Sequence, residues 1–286
     1  MKFNSFGSLR LTFQEKLVAI QRKQHSLVCV GLDTDPQLLP GHLRDSLDGV
    51  LDFNRRIIEA TQDLVCAYKP NLAFYEALGS RGWDILRQTV TAIPRGIVTI
   101  GDAKRGDIGN TAERYAKALF GNFGFDAVTV NAYMGYDAVE PFIRDPEHGV
   151  FILALTSNPG SKDFQRLNVG NRPLYEKLVR SSVKWNTHGN IGLVVGAIHP
   201  KELKAVRALA PTLPILIPGI GKQGGDLKSS IRFGCDKNGE LAVINSSRGI
   251  LYASAGRDFA DAARRETMNL RDEIRRYQSD FFQASC

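Results

Sequence analysis

The stretch GIVTIGDAKRGDIGNTAERYAKALFGNFGFDAVTVNAY, residues 96–133, decides the fold class of this chain. Residues 96–104 form an apolar, β-branched run that ends in charged side chains, and residues 126–133 form a second such run. Between them, residues 110–123 space their apolar side chains with the period of a helix. A strand, a helix and a strand in this order predict two parallel strands joined by a crossover helix.

The same unit recurs along the chain. Apolar runs of this kind occur eight times, separated by segments with helical spacing, and they span residues 26–33, 64–71, 96–104, 126–133, 149–157, 190–198, 214–221 and 241–247. Nearly continuous apolar runs are typical of strands that helices cover on the outside. We therefore predict an α/β fold, a single (β/α)8 TIM barrel domain over residues 1–286, with a short N-terminal helical extension (1–24) and a C-terminal helix and tail (257–286).

An open, doubly wound sheet is the alternative architecture. Such a sheet normally carries a G-x-G-x-x-G turn after its first strand, whereas this chain has GLDTDP at residues 31–36. We find no linker or break in composition that would separate two domains. The barrel is therefore favoured.

Composition limits the classes of partner. The chain has 286 residues, 43% hydrophobic and 23% charged, with a net charge of +7. Its basic residues are dispersed, which argues against a nucleic-acid partner, while a modest positive excess suits an enzyme with an anionic substrate.

The four cysteines are widely separated, so we predict neither a zinc site nor a disulfide framework. We find neither a secretion signal nor a membrane-spanning run and expect a cytoplasmic protein with no membrane partner.

Polar side chains follow or end the apolar runs. In a parallel barrel these positions converge on the mouth where active sites form. The candidates, in chain order, are Asp33, Lys69, Asp102, Lys104, Asn131, Thr156, Ser157, His199, Gln223 and Arg248.

The segment GDAKRGDIGNT, residues 101–111, carries the densest charge at a strand end. Asp102 and Lys104 are two residues apart in a strand and should face the same side, with Asp107 just beyond. A lysine between carboxylates favours its ammonium form, which indicates a proton donor rather than a Schiff-base nucleophile. The structural alternative is a plain Asp102–Lys104 ion pair, with Asp107 or Asn110 capping the next helix.

Two glycine-containing segments, PGIGKQGGD (218–226) and SSRGILY (246–252), lie at the ends of the seventh and eighth runs. Barrels frequently bind phosphate with these loops, through backbone amides and side-chain donors such as Gln223 and Arg248. Ordinary tight turns are the alternative interpretation. A further Pro-Gly turn, TSNPG at 156–160, is uninformative alone.

Taken together, these motifs resemble the orotidine 5′-monophosphate decarboxylase family over nearly the whole chain. The resemblance rests on the family's D-x-K-x-x-D array, its early aspartate and second-strand lysine, its S-x-P-G turn, its P-G-[IV]-G-x-Q-G-G-D loop and its eighth-strand arginine. The corresponding residues are Asp102, Lys104 and Asp107; Asp33 and Lys69; Ser157 to Gly160; Pro218 to Asp226; and Arg248. Arg105 and Gly106 resemble the longer bacterial branch of the family, and DKNGE before the eighth strand is an additional insertion.

The resemblance implies decarboxylation of orotidine 5′-monophosphate (OMP) to UMP in pyrimidine biosynthesis, without metal or organic cofactor. It implies that Lys104 protonates C6 while Asp102 faces the substrate carboxylate. The other implied roles are ribose contacts from Asp33 and Lys69, a pyrimidine contact from Ser157, and phosphate binding by Pro218, Gln223, Gly224, Gly225 and Arg248. Asp107 and Thr111 would reach the active site of a neighbouring subunit, so a homodimer with shared sites is expected.

Two other functions are compatible with a barrel of this kind. One is a metal-dependent sugar-phosphate decarboxylase or lyase that uses a similar charged array, although it would need a further carboxylate where this chain has Lys69. The other is a barrel that binds a nucleotide without catalysis, which would not need the array of Asp102, Lys104 and Asp107. A requirement for a metal would distinguish the sugar-phosphate enzyme from an OMP decarboxylase, and a lack of turnover would distinguish the nucleotide-binding barrel from it.

Overall fold

Each of the eight predicted apolar runs coincides with one strand of a closed parallel barrel in the computed structural model, which describes residues 11–220 and 225–282, and only β3 extends a residue beyond its run. The barrel strands are β1 Val28–Leu32, β2 Ala67–Pro70, β3 Val98–Arg105, β4 Ala127–Val130, β5 Gly149–Leu155, β8 Ile191–Val195, β9 Ile215–Pro218 and β10 Ala242–Ser246. Two short strands, β6 Asn168–Val169 and β7 Arg172–Pro173, form an antiparallel hairpin beside the barrel sheet.

The barrel strands pair in chain order, and β10 closes the ring by pairing in parallel with β1. Their side chains are almost all buried, because one face fills the barrel and the other packs under helices. The prediction of a TIM barrel is therefore confirmed.

Helices cover the outer face of the barrel. The helices of the described residues are α1 Phe13–Gln24, α2 Asp48–Thr61, α3 Leu72–Glu76, α4 Gly79–Ala92, α5 Gly109–Ala116, α6 Glu140–Ile143, α7 Ser161–Phe164, α8 Leu174–Trp185, α9 Pro200–Leu209, α10 Leu227–Gly234, α11 Arg248–Leu251 and α12 Phe259–Phe282. A π-helical segment, Lys117–Asn122, extends α5, and short 3₁₀ turns lie at Pro36–Leu38, Gly41–Leu43 and Tyr136–Ala138. Helix α12 lies within the predicted C-terminal segment and packs against α2, which closes the helical layer.

Helix α1 closes the end of the barrel where the strands begin. It starts at Phe13 because Thr12 and Glu15 form a reciprocal capping box. The Phe13 ring packs edge-on against Phe151 of β5, with 5.8 Å between ring centroids. At the other end of α1, the Gln21 amide donates to the Ala242 carbonyl at 2.8 Å. Helix α1, within the predicted N-terminal extension, thus packs against the barrel core, while residues 1–10 of that extension lie outside the described residues.

Strand β3 is irregular where it reaches the mouth. Gly101 pairs with Val128 and Arg105 with Val130, so four residue steps of β3 span two steps of β4. Lys104 lies in this bulge with a φ of +48°, in the left-handed region that non-glycine residues rarely adopt. The prediction placed Asp102 and Lys104 on one side by regular alternation; the bulge brings them together instead.

Candidate active site

Four charged side chains form a continuous chain of alternating sign at the mouth of the barrel. The Lys69 ammonium of β2 lies between two carboxylates, 2.8 Å from Asp102 Oδ2 and 3.8 Å from Asp33 Oδ1. The Lys104 ammonium lies 2.6 Å from Asp102 Oδ1. Asp33 follows β1, so three neighbouring strands supply the group, because the carboxyl ends of parallel strands meet at one face.

Burial distinguishes the two lysines. The Lys69 residue is only 3% exposed, whereas the Lys104 side chain is 49% exposed. Burial opposes the charge on Lys69, but Asp102 and Asp33 outweigh this effect and hold the pKa of Lys69 above its ordinary value. Lys69 is therefore a fixed buried cation, while Lys104 extends towards the open mouth.

Asp102 is the junction of the network. Its side chain is 10% exposed, and burial by itself disfavours the carboxylate. The ammonium groups of Lys69 and Lys104 outweigh that cost and hold the pKa of Asp102 well below its ordinary range. Asp102 is consequently ionised throughout the physiological pH range.

Asp33 retains an unused acceptor. Its Oδ1 atom is buried and accepts no hydrogen bond from the residues that the structure describes. Buried carboxylate oxygens are costly without donors, so an unfilled one at a barrel mouth indicates a ligand that donates hydrogen bonds. Asp33 is thus available to bind a hydroxyl or amine of a substrate.

A cavity of about 470 Å³ opens beside this network. Asp33, Lys69 and Asp102 line one part of it, and Pro218 and Arg248 line another. The remaining lining residues are Asp35, Leu38, Phe74, Gly219, Ile220, Asn245, Ser247, Gly249 and Tyr252. The cavity therefore joins a carboxylate–lysine network to an arginine contributed from beyond β10.

Some predicted site residues lie apart from this cluster. Asp107 is half-buried and accepts the Ile108 amide at 2.8 Å, and Thr111 is exposed on α5. Ser157 is half-buried after β5, and Gly225 donates its amide to the Gly219 carbonyl at 3.2 Å. None of these residues lines the cavity. Gln223 and Gly224 lie outside the described residues.

The structural alternative considered for residues 101–111 is half right. The Asp102–Lys104 ion pair is present, but Asp102 is shared with Lys69 rather than held by Lys104 alone. The proposed helix cap is wrong, because Ile108 occupies the N-cap position of α5 without a side-chain cap, and Asn110 lies inside the helix.

A family model described as "Orotidine 5'-phosphate decarboxylase / HUMPS family" matches residues 26–264. The chain belongs to this family. The resemblance inferred from the motifs is thereby confirmed.

Known members of the family match at high identity and over nearly their full length. The chain is 52% identical to an orotidine 5′-phosphate decarboxylase of Dehalococcoides mccartyi, over 95% of this chain and 100% of that protein. It is 48% identical to the enzyme of that name from a Roseiflexus species, over 92% and 97% of the two chains. The structure of Leishmania donovani OMP decarboxylase superposes with a TM-score of 0.80 at 40% identity, covering 92% of this chain and 99% of that one.

Several residues that line the cavity of this family member were not predicted, among them Asn245 and Tyr252. Asn245 is buried in β10 and lines the cavity, and its polarity within the apolar run LAVINSS was a usable signal. The Tyr252 hydroxyl accepts the Asp35 amide at 2.8 Å and donates to the Asp33 carbonyl at 3.4 Å. Tyr252 thus holds the loop that presents Asp33, a role that depends on folding and has no sequence signal.

Residues 11–220 and 225–282 contain neither a cluster of metal ligands nor a membrane-spanning helix. No three His, Cys, Asp or Glu side chains converge there in an arrangement that could hold a metal ion. No helix in the same ranges has the length and apolarity needed to cross a bilayer.

A second cavity, of about 730 Å³, lies between α1 and α12 at the opposite end of the barrel and contains none of the predicted site residues.

Proposed function

We propose that this protein decarboxylates orotidine 5′-monophosphate to UMP and CO₂ in pyrimidine biosynthesis. The observation that carries the proposal is the Asp33–Lys69–Asp102–Lys104 network, in which Asp33, Lys69 and Asp102 line a cavity that also contains Arg248. A nucleotide with a carboxylate at one end and a phosphate at the other fits that distribution of charge. The names of relatives as similar as 52% support the same substrate.

Lys104 is the proposed proton donor. The bond between C6 and the carboxylate breaks, its electron pair stays on C6, CO₂ leaves, and a Lys104 ammonium proton is transferred to C6. Solvent then reprotonates the lysine. The exposed ammonium of Lys104, in contact with ionised Asp102, supports this role because preorganised charge stabilises the developing carbanion.

In the proposal, the buried residues of the network orient the substrate and repel its carboxylate. In the proposal, Asp102 faces the substrate carboxylate, so that their repulsion is relieved as CO₂ departs. Lys69 holds Asp102 in place and, with the free acceptor of Asp33, binds the ribose hydroxyls.

We propose that the reaction uses neither a metal nor an organic cofactor. Lys69 supports this view, because its ammonium occupies the position between carboxylates that a divalent cation would need.

The phosphate end is assigned to the loops after β9 and β10. Arg248 and Pro218 line the cavity, and Gln223, Gly224 and Gly225 follow in the glycine-rich loop. Backbone amides and a guanidinium are suited to a phosphate dianion. We assign Ser157 to the pyrimidine ring.

We further propose a homodimer in which Asp107 and Thr111 act in the partner's site. Neither residue lines the cavity of its own chain, and Thr111 is exposed on α5, accessible to a partner subunit. The adjoining surface is apolar, with Ile108 53%, Tyr133 80% and Met134 48% exposed. Exposed apolar residues grouped in this way are typical of a protein–protein interface.

The decisive experiment follows the loss of OMP absorbance with purified protein in EDTA. Lys104→Ala should reduce kcat by at least about 10³-fold, while UMP binding is retained. Lys23→Ala, which removes an exposed lysine of α1 at the other end of the barrel, is the matched control and should be fully active. Turnover that needs Mg²⁺ would favour the sugar-phosphate reaction, and tight UMP binding without turnover would favour a binding protein.

Sharing of the active sites is tested by mixing inactive subunits. Equal amounts of Asp102→Ala and Asp107→Ala protein, allowed to exchange, should recover about one quarter of wild-type activity, since half of the dimers are hybrids with one intact site. No recovery despite demonstrated exchange would contradict the shared site.

A further inference from the structure

The bulge of β3 brings a residue of the neighbouring strand into contact with both members of the Asp102–Lys104 pair. Thr129 of β4 lies between Val128 and Val130, the two residues whose pairing with β3 brackets the bulge. It therefore stands alone opposite the three bulged residues of β3. This position is occupied by a hydroxyl rather than by the apolar side chain that is usual inside a barrel.

The Thr129 hydroxyl makes two hydrogen bonds, one to each residue of the pair. It donates its only proton to Asp102 Oδ1 at 2.9 Å and accepts the Lys104 amide at 2.9 Å. Asp102 Oδ1 is the same oxygen that the Lys104 ammonium contacts at 2.6 Å. The backbone and the side-chain end of Lys104 are thus tied to one buried hydroxyl and one carboxylate oxygen.

Thr129 does not belong to the substrate cavity. The residue is 1% exposed and is not among the residues that line the cavity. A contribution to the reaction must therefore pass through Asp102 and Lys104. The left-handed backbone of Lys104 needs such support, because strained conformations persist only where their surroundings hold them. Arg105 provides a second restraint by donating to the Ala103 carbonyl at 3.2 Å.

We propose that Thr129 is a positioning residue for decarboxylation, which sets the orientation of the Asp102 carboxylate and the backbone conformation that aims the Lys104 ammonium. The inference rests on the proposed function and adds to it a residue that never touches the substrate. Its effect should fall on kcat, because a small displacement of the proton donor slows the reaction without weakening ground-state binding.

The test replaces the hydroxyl with a methyl group of similar shape. Thr129→Val should lower kcat by about 10- to 100-fold, the effect of losing one hydrogen bond to a charged group and misaligning the donor. The KM for OMP and the Kd for UMP, measured by calorimetry, should change by less than about threefold. Thr129→Ser keeps the hydroxyl and should restore kcat to within about threefold of wild type.

Thr99, near the start of β3, is a matched control. Its hydroxyl donates to Asp126 Oδ2 at 2.9 Å and accepts the Asp126 amide at 3.0 Å, the same pattern that Thr129 makes. Thr99 is 6% exposed and lies at the other end of the barrel from the active site. Thr99→Val should lower the thermal midpoint about as much as Thr129→Val but leave kcat within about twofold of wild type.

The outcomes separate the inference from the function. Absence of OMP turnover by the wild-type protein overturns both. Wild-type turnover with an unchanged kcat in Thr129→Val, or an equal loss of kcat in the Thr99 and Thr129 variants, overturns the inference alone. If Thr129→Val is insoluble, Thr129→Cys replaces it. Its weak thiol donor should give a kcat between those of wild type and a hydroxyl-free site, and an undiminished kcat overturns the inference.

Discussion

Removing the buried ammonium of Lys69 should destabilise the fold, and the size of the effect follows from its two carboxylate contacts. At an effective dielectric constant of about 20, Coulomb's law gives roughly 6 kcal/mol for the 2.8 Å contact with Asp102 and roughly 4 kcal/mol for the 3.8 Å contact with Asp33. Lys69→Met, a change of similar length, also relieves the desolvation of the ammonium, several kcal/mol. We expect a net loss of about 3–5 kcal/mol in the free energy of unfolding at pH 7.

The loss should depend on pH with a defined sign. In the wild type, the pKa of Asp102 is lower in the folded protein than in the unfolded chain. Its carboxylate therefore stabilises the fold at every pH above the unfolded pKa, and this stabilisation is lost as the pH falls from the unfolded pKa through the folded pKa. Without Lys69, burial raises the pKa of Asp102 relative to the wild type, and protonation relieves the buried charge. The destabilisation by Lys69→Met should therefore shrink as the pH is lowered from 8 to 5.

Urea unfolding at pH 8, 7 and 5 measures this prediction, with Lys69→Met/Asp102→Asn as the control that removes the unpaired charge. The double variant should regain part of the lost stability and lose the pH dependence. A Lys69→Met protein as stable as the wild type at pH 8, or one that is destabilised more at pH 5, would refute the electrostatic explanation.

Two further predictions concern other buried polar groups. Asp33→Ala should lower the free energy of unfolding by about 1–3 kcal/mol, because it removes the 3.8 Å ion pair with buried Lys69 and, with it, an acceptor that has no hydrogen-bond donor. It should also weaken UMP binding by at least about tenfold in calorimetry, and unchanged UMP affinity would remove Asp33 from the ligand site. Arg207→Met should cost about 3 kcal/mol in urea unfolding without changing kcat, because the half-buried guanidinium donates to the carbonyls of Leu213 at 2.7 Å and Gly234 at 3.1 Å. A stability equal to wild type would show that those carbonyls are satisfied without it.

The sequence alone was sufficient for the architecture and for the core of the candidate site. Eight apolar runs alternating with helical segments specify a parallel barrel, because that periodicity is a local property of the chain. Once the barrel is assumed, Asp33, Lys69, Asp102 and Lys104 must converge, since each follows or ends a strand and parallel strands end at one face. Recognition of the family needed only the order and spacing of those motifs.

Tertiary structure decided how these residues are arranged. The bulge in β3, the left-handed conformation of Lys104 and the contact with Thr129 depend on the register between β3 and β4, which is a property of the pair of strands. The sharing of Asp102 by two lysines depends in the same way on the pairing of β2 with β3. The apolar pattern of one strand limits its register, but the register is fixed only when two strands pack together, so no single segment of the sequence shows the bulge.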